Sequence, residues 1–168
     1  TNGTVTATVT AACNATVGAN TVVLTVTDGN GATATANLTV NVTANTAPSL
    51  TYSNVSVNGG ASTTNSPTTA TDNGTIANYA LQSPGTYTGT ISVNSSGVVS
   101  ISNAAPIGNH TITIRATDNC GATTDASFTL TVNNTAPAFT PAAAISRQQG
   151  SPGGAAVTVG TVNDAQTL

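Results

Sequence analysis

The chain has 168 residues, and its only formal charges are two Arg and five Asp, giving a net charge of -3 with no Lys and no Glu. That balance excludes a phosphate backbone as partner, and so nucleic acid, while the length excludes a large enzyme core and leaves room for one ordinary domain or two small ones. Hydrophobic residues make up 38% but aromatics only 3%, with neither Trp nor Met, so the core must be built from Val, Ile, Leu and Ala under a surface kept wet by hydroxyls and amides.

No apolar run approaches the roughly 20 residues of a membrane span. Neither a basic and apolar leader nor an initiating Met opens the chain, which reads as a mature piece or an excerpt. Richness in Val and Thr argues against disorder. From the amino terminus onward, Val5, Ala7 and Val9 alternate with Thr4, Thr6, Thr8 and Thr10, which predicts a strand. Val22, Leu24 and Val26 then share one parity, as do Leu38, Val40 and Val42, so two more half-buried strands are expected. The same alternation continues through Val55, Val57, Leu81, Ile91, Val93, Ile101, Ile112, Ile114, Phe128, Leu130 and Val132, which are expected inside. Nothing keeps a helical period for three turns. The class is all-β, in tandem sandwiches.

A repeat organises these strands. "VGANTVVLTVTDGNGATATANLTVNV" from Val17 is echoed by "IGNHTITIRATDNCGATTDASFTLTV" from Ile107, 90 residues on, with Asp28 over Asp118 and Gly31 over Gly121. Each copy is followed by "NTAP", at Asn45 to Pro48 and at Asn134 to Pro137. The period suits one seven-stranded sandwich, and "TDGNG" and "TDNCG" suit the hairpin between its last two strands, where Asp and Gly supply the turn.

The stretch Tyr79 to Val132, with its Gly-containing turn and its "G-x-H-T-I-T-I-R-A-T-D-N-C-G-A" run, resembles the bacterial putative-Ig and cadherin-like repeats, and "VTVTDGNGATATANLTVNV" resembles the same group and its hyalin-repeat relatives. The resemblance implies an immunoglobulin-like fold in tandem arrays on large secreted or surface-anchored bacterial proteins, with roles in spacing, adhesion or filament building. The dense acidic linker of true cadherins is absent.

Superposing the copies partitions the chain. Residues 1–45 correspond to the carboxy-terminal strands of one domain, 46–135 to a complete sandwich and 136–168 to the opening strands of a third, with "AAAIS" and "AAVTVGTVND" as its strands and Asp164 near the place of Asp72. Two arrangements fit: an excerpt from a longer repeat array, or copies joined head-to-tail in which the opening strands of one complete the closing strands of the next.

Candidate chemistry is sparse. A hydrolase triad needs His, and the one present, His110, starts a strand with no nucleophile turn in the chain; it is expected at the surface. The five Asp are spread over separate turns and strands, unlike paired glycosidase carboxylates. Arg115 alternates outward and is expected to be solvated. No enzyme is expected. Asp72 and Asp118 lie at the same end of the sandwich, with Asn45 in the linker near them. Carboxylate, amide and backbone oxygens are the ligand set a calcium ion takes, whereas turn capping by both Asp residues is the blander reading. Asp28 and Asp164 are their counterparts in the flanking units. Asn-x-Ser/Thr sequons begin at Asn2, Asn14, Asn37, Asn41, Asn54, Asn73, Asn94, Asn109 and Asn133, sites where glycosylation is permitted and not required.

Cys13 aligns with Asn103, in the loop before the penultimate strand, and Cys120 lies in the final hairpin of the next unit. The short linker at Asn45 to Pro48 brings those two ends together, so a disulfide is expected if the Cα atoms come within about 7 Å; intermolecular pairing is the competing arrangement. Such a bridge persists in an extracellular setting. Without Lys, neither isopeptide staples nor Lys-linked polymers are available. The sequence therefore points to a structural segment of an extracellular or cell-surface repeat protein or filament whose partners are copies of itself. The alternative is an adhesin module for a glycan or a surface, ice included through outward Thr rows.

Overall fold

The computed structural model describes residues 3–144, 148–150 and 158–164. Among these, every regular element is a strand. Short polar turns break the chain wherever the two-residue alternation lapses, and the alternating stretches pair with their neighbours.

The hairpin β1 (Gly18–Thr27) and β2 (Thr33–Val42) comes first. Nine strands then form two facing layers. One layer runs β4 (Val55–Asn58), β11 (Thr123–Asn133), β10 (Gly108–Asp118), β7 (Ile76–Ser83), with β4 parallel to β11 and the rest antiparallel. The other is built from the pair β3 (Ser49–Tyr52) with β6 (Pro67–Thr71) and the trio β5 (Thr63–Asn65), β9 (Val99–Ser102), β8 (Thr90–Val93). Ser66 alone separates β5 from β6, and Pro67 brings no N–H to the ladder. One broken strand thus serves both pairings, and the chain forms an immunoglobulin-like β-sandwich. A last pair, β12 (Ala138–Pro141) with β13 (Gly160–Asn163), follows.

The core lies between the layers. Ile112, Ile114 and Ala116 of β10 meet Ala126, Phe128, Leu130 and Val132 of β11, and Leu50, Val57, Val99 and Ile101 join them in the cluster. Burying one such aliphatic chain is worth about 1.5–3 kcal/mol, and the two-residue parity puts every one of them on the same side. Val55, Leu81, Ile91 and Val93 are partly buried and pack on its rim. Tyr52 packs on Phe128 with ring centroids 5.4 Å apart and donates its hydroxyl to the Gly97 carbonyl at 2.5 Å. Gly97 is at φ 78°, and a Cβ there would meet the Tyr79 ring at 2.9 Å, so the turn needs glycine for both reasons.

Four expectations are corrected. Residues 4–10 are not a strand: Val5, Ala7 and Val9 line an open cleft with Val22, Leu24 and Leu38 of the hairpin and have no ladder partner to define one. His110 is not at the surface but 3% exposed. Its Nε2 donates to the Pro106 carbonyl at 2.8 Å, which leaves Nδ1 to accept the Thr86 hydroxyl at 2.7 Å. Arg115 is outward, yet paired: its guanidinium makes two bonds, of 2.7 and 2.8 Å, to Asp125, directly across the ladder. That pairing holds the Asp125 carboxyl below its ordinary value. In "AAAIS", Ala142 to Ala144 carry no strand, and Ile145 and Ser146 lie outside the described residues.

Candidate functional site

A cluster of polar contacts lies at the end of the sandwich that meets the first hairpin. The sequence Asp118-Asn119-Cys120-Gly121-Ala122 makes its turn locally. Asp118 Oδ1 accepts the N–H groups of Cys120 and Ala122, both at 2.8 Å, while the Asp118 N–H donates to the Ala122 carbonyl at 3.0 Å. Gly121 sits at φ 89°, in the region that side chains disfavour. The turn holds Cys120 out toward the linker, and a second turn, closed by Ala15 N–H to the Ala12 carbonyl at 2.9 Å, presents Cys13. Cys13 and Cys120 are joined by a disulfide with Cα atoms 5.3 Å apart across 107 residues of sequence.

The linker is clamped beside it. Asn45 donates its amide to Asp118 Oδ2 at 2.6 Å, the Thr46 N–H donates to Asn73 Oδ1 at 3.3 Å, and Asn73 donates back to the Ala44 carbonyl at 3.0 Å. The two turns also hold each other, with Asn119 N–H on the Thr75 carbonyl at 3.0 Å and Thr75 N–H on Asn119 Oδ1 at 3.2 Å. The Asn45 amide is the main reason that the Asp118 carboxyl lies below its ordinary value, followed by the backbone N–H groups of Ala122, Cys120 and Gly121, against an opposing push from burial. Hydrogen bonding to the charged form favours it.

The residues considered for calcium divide. Asn45 and Asp118 do meet, as donor and acceptor, and both Asp118 oxygens accept N–H groups. Asp72 Oδ2 caps its own turn through the Gly74 N–H at 2.8 Å, whereas its Oδ1 is buried without a partner. Among the described residues, no group of three His, Cys, Asp or Glu side chains gathers. The bonds that Asp72 and Asp118 make are those of turn capping. Asp28 does the same in the first hairpin, accepting from Asn30 and Ala32 at 2.9 Å.

Of the sequon residues, Asn2 lies outside the described residues, and Asn14, Asn37, Asn41, Asn54, Asn73, Asn94, Asn109 and Asn133 are exposed. Asn54 and Asn94 use their side-chain oxygens on backbone N–H groups of Thr129 and of Ser96 and Val98, and Asn109 accepts from the Thr131 hydroxyl. Asn73 is the residue whose role was missed, since sequon logic alone singled it out whereas its amide ties its own turn to the linker at two points. A signal was present: "TDNG" at Thr71 to Gly74 repeats the turn spelling of "TDGNG" and "TDNCG".

No family model matches the chain, and no curated protein does. Solved structures similar to it include a SusE-like surface-located polysaccharide-binding protein from the Bacteroides thetaiotaomicron heparin utilisation locus, at 15% identity and TM-score 0.43, covering 66% of this chain and 22% of that one. The extracellular cadherin domains 1–5 of protocadherin gamma B2 align at 17% identity and TM-score 0.42, over 89% of this chain and 32% of theirs. Titin domains Z1Z2 in complex with telethonin align at 18% identity and TM-score 0.39, over 70% and 62%. The chain thus spans less than two thirds of each of these structures.

Proposed function

We propose that the chain is a structural segment of an extracellular tandem-repeat surface protein or filament, of the kind built from bacterial putative-Ig, cadherin-like and hyalin repeats. It comprises closing strands over residues 1–45, a complete unit over 46–135 and opening strands over 136–168. The observation that carries this reading is the Cys13–Cys120 disulfide, which ties the turn before one repeat hairpin to the turn within the next. A single covalent link beside a four-residue linker removes the freedom of a jointed string, and the bonds of Asn45 and Asn73 fix the remaining angle. Disulfides persist in oxidising, extracellular compartments, and no helix of the described residues is long and apolar enough to cross a membrane.

What favours this over a glycan-binding adhesin is the use made of the aromatics. Tyr87 and Phe128 are buried and Tyr52 and Tyr79 pack against the core, so four of the five rings serve the fold and not a stacking platform. The test is mass mapping without reductant followed by small-angle scattering. A Cys13–Cys120 peptide is expected, together with an interparticle geometry that Cys120→Ser broadens while leaving the sandwich folded. Alkylatable thiols at both positions, or a Cys13–Cys13 crosslink, overturn the reading.

A further inference from the structure

The turn Pro84-Gly85-Thr86-Tyr87 and the buried His110 have no task in the structural segment, and they stand together. The turn is tight and held on several sides. The Tyr87 N–H donates to the Pro84 carbonyl at 3.1 Å, the Gly85 N–H to the Ser83 hydroxyl at 3.1 Å, and the Thr88 N–H to the Ala105 carbonyl at 2.9 Å. Gly85 is at φ 60°, and a Cβ there would run into the Thr111 carbonyl, so the turn sits directly on β10. Tyr87 is buried and donates its hydroxyl to the Ser102 carbonyl at 2.8 Å, which anchors the turn from below. Thr86, between these fixed points, is exposed.

What the turn presents to solvent is a hydroxyl seated on a buried base. The His110 ring lies edge-on to Tyr87 with centroids 5.7 Å apart. A carbonyl can only accept, so the 2.8 Å contact with Pro106 places the imidazole proton on Nε2. Nδ1 then carries the lone pair, and Thr86 Oγ1 donates to it at 2.7 Å. A nucleophile bonded to a base, with the base held by a third group, is the arrangement that activates a hydroxyl. Because Thr86 is exposed and His110 is not, an incoming reagent reaches the oxygen and leaves the imidazole covered.

We propose that Thr86 is an acyl-acceptor nucleophile with His110 as its base, taking an acyl group from an activated donor of the thioester or aryl-ester class. Oγ1 attacks the acyl carbonyl carbon as its proton passes to Nδ1. The carbon–sulfur or carbon–oxygen bond of the donor then breaks, and the proton on Nδ1 leaves with the thiol or phenol. An O-acyl threonine remains, His110 returns to its neutral tautomer, and nothing is oxidised or reduced. The pair supplies a nucleophile and a base, so activation of the carbonyl has to come with the donor. An acyl donor also suits the charge of the surroundings better than a phosphoryl donor. The chain carries a net charge of -3, and the Arg115 guanidinium is committed to Asp125, whereas phosphoryl transfer calls for cations around the moving group.

Treating the 168-residue protein with para-nitrophenyl acetate at neutral pH and mapping the adducts by tandem mass spectrometry tests this. Thr88, exposed two residues further on and without the imidazole, is the internal control. Acetyl is expected on Thr86 about 100-fold faster than on Thr88, the low end of what a general base contributes. Thr86→Val is expected to abolish that adduct and Thr86→Ser to keep it, both with the strand signature of far-ultraviolet dichroism retained. His110→Gln is expected to bring Thr86 down to the rate of Thr88; where that buried substitution unfolds the sandwich, the ratio of Thr86 to Thr88 in the unmodified chain decides alone. Equal labelling of the two threonines, acetyl confined to the amino-terminal amine, or a Thr86 adduct that forms as fast in folded His110→Gln overturns the proposal. None of these outcomes depends on the Cys13–Cys120 bridge, whose mapping tests the structural segment separately.

Discussion

The hairpins β1–β2 and β10–β11 are the same object in two surroundings. Their registers superpose residue for residue, from Gly18 with Val42 to Thr27 with Thr33 in one and from Gly108 with Val132 to Thr117 with Thr123 in the other. Their turns use the same bonds: an Asp accepting two N–H groups, and a Gly at φ 88° or 89°. Yet Leu24 is 45% exposed and its counterpart Ile114 is fully buried. Hairpin geometry is therefore a local property here, written by alternation and turn chemistry, while burial is conferred by the strands laid across it.

The comparison breaks most visibly at its apolar positions. Ile114→Ala removes fully buried methylenes and is expected to cost about 2–5 kcal/mol of sandwich stability, whereas Leu24→Ala, measured in dilute monomer, is expected to shift it by less than about 0.5 kcal/mol. Urea denaturation followed by far-ultraviolet dichroism reads both. Equal losses would mean that the first hairpin belongs to the same cooperative unit as the sandwich.

A smaller contrast lies in the turns. Gly121→Ala forces a Cβ into the left-handed region and is expected to lower sandwich stability by roughly 1–2 kcal/mol. Gly31→Ala carries the same local strain, but that strain is expected to surface as faster amide exchange within β1–β2 and not in the global midpoint. A drop in midpoint from Gly31→Ala as large as that from Gly121→Ala would contradict the separation.

The smallest expected effect is on acid stability. Asp118 has a folded-state pKa below its unfolded value, so its contribution is complete above about pH 4, the ordinary carboxylate range, and is lost as pH falls through the lower folded value. Asp118→Asn is expected to flatten the acid limb of the stability profile and to loosen the Asn45 linker contact. Asn45→Ala, which removes the linker amide from that carboxylate, is expected to flatten the same limb. An acid limb unchanged in both variants would show that the junction bonds carry no pH-dependent stability.

The two-residue alternation was enough to place Ile101, Ile112, Ile114, Phe128, Leu130 and Val132 inside, because parity and burial coincide wherever a strand is covered. It misjudged residues 4–10, since alternation names the face a strand would bury and says nothing of whether a neighbour supplies the ladder. It misjudged His110 for a related reason. Polarity suggested solvent, but the residue shares the inward parity of Ile112 and Ile114, and the Thr86 hydroxyl and Pro106 carbonyl are near enough to satisfy both ring nitrogens. Arg115 was placed on the correct face, while its partner Asp125 became visible only once the β10–β11 register was known.

By itself, the sequence determined the all-β class, the repeated hairpin with its Asp and Gly turns, and the pairing logic that sets Cys13 near Cys120. All of these follow from side-chain periodicity and turn chemistry, which act over a few residues. Tertiary structure decided which copy of the hairpin is covered, that Asn73 clamps the linker, and that the faces of Leu24 and Phe139 remain exposed. Those depend on contacts between residues far apart in the chain, and a strand carries the same alternation whether or not anything lies across it.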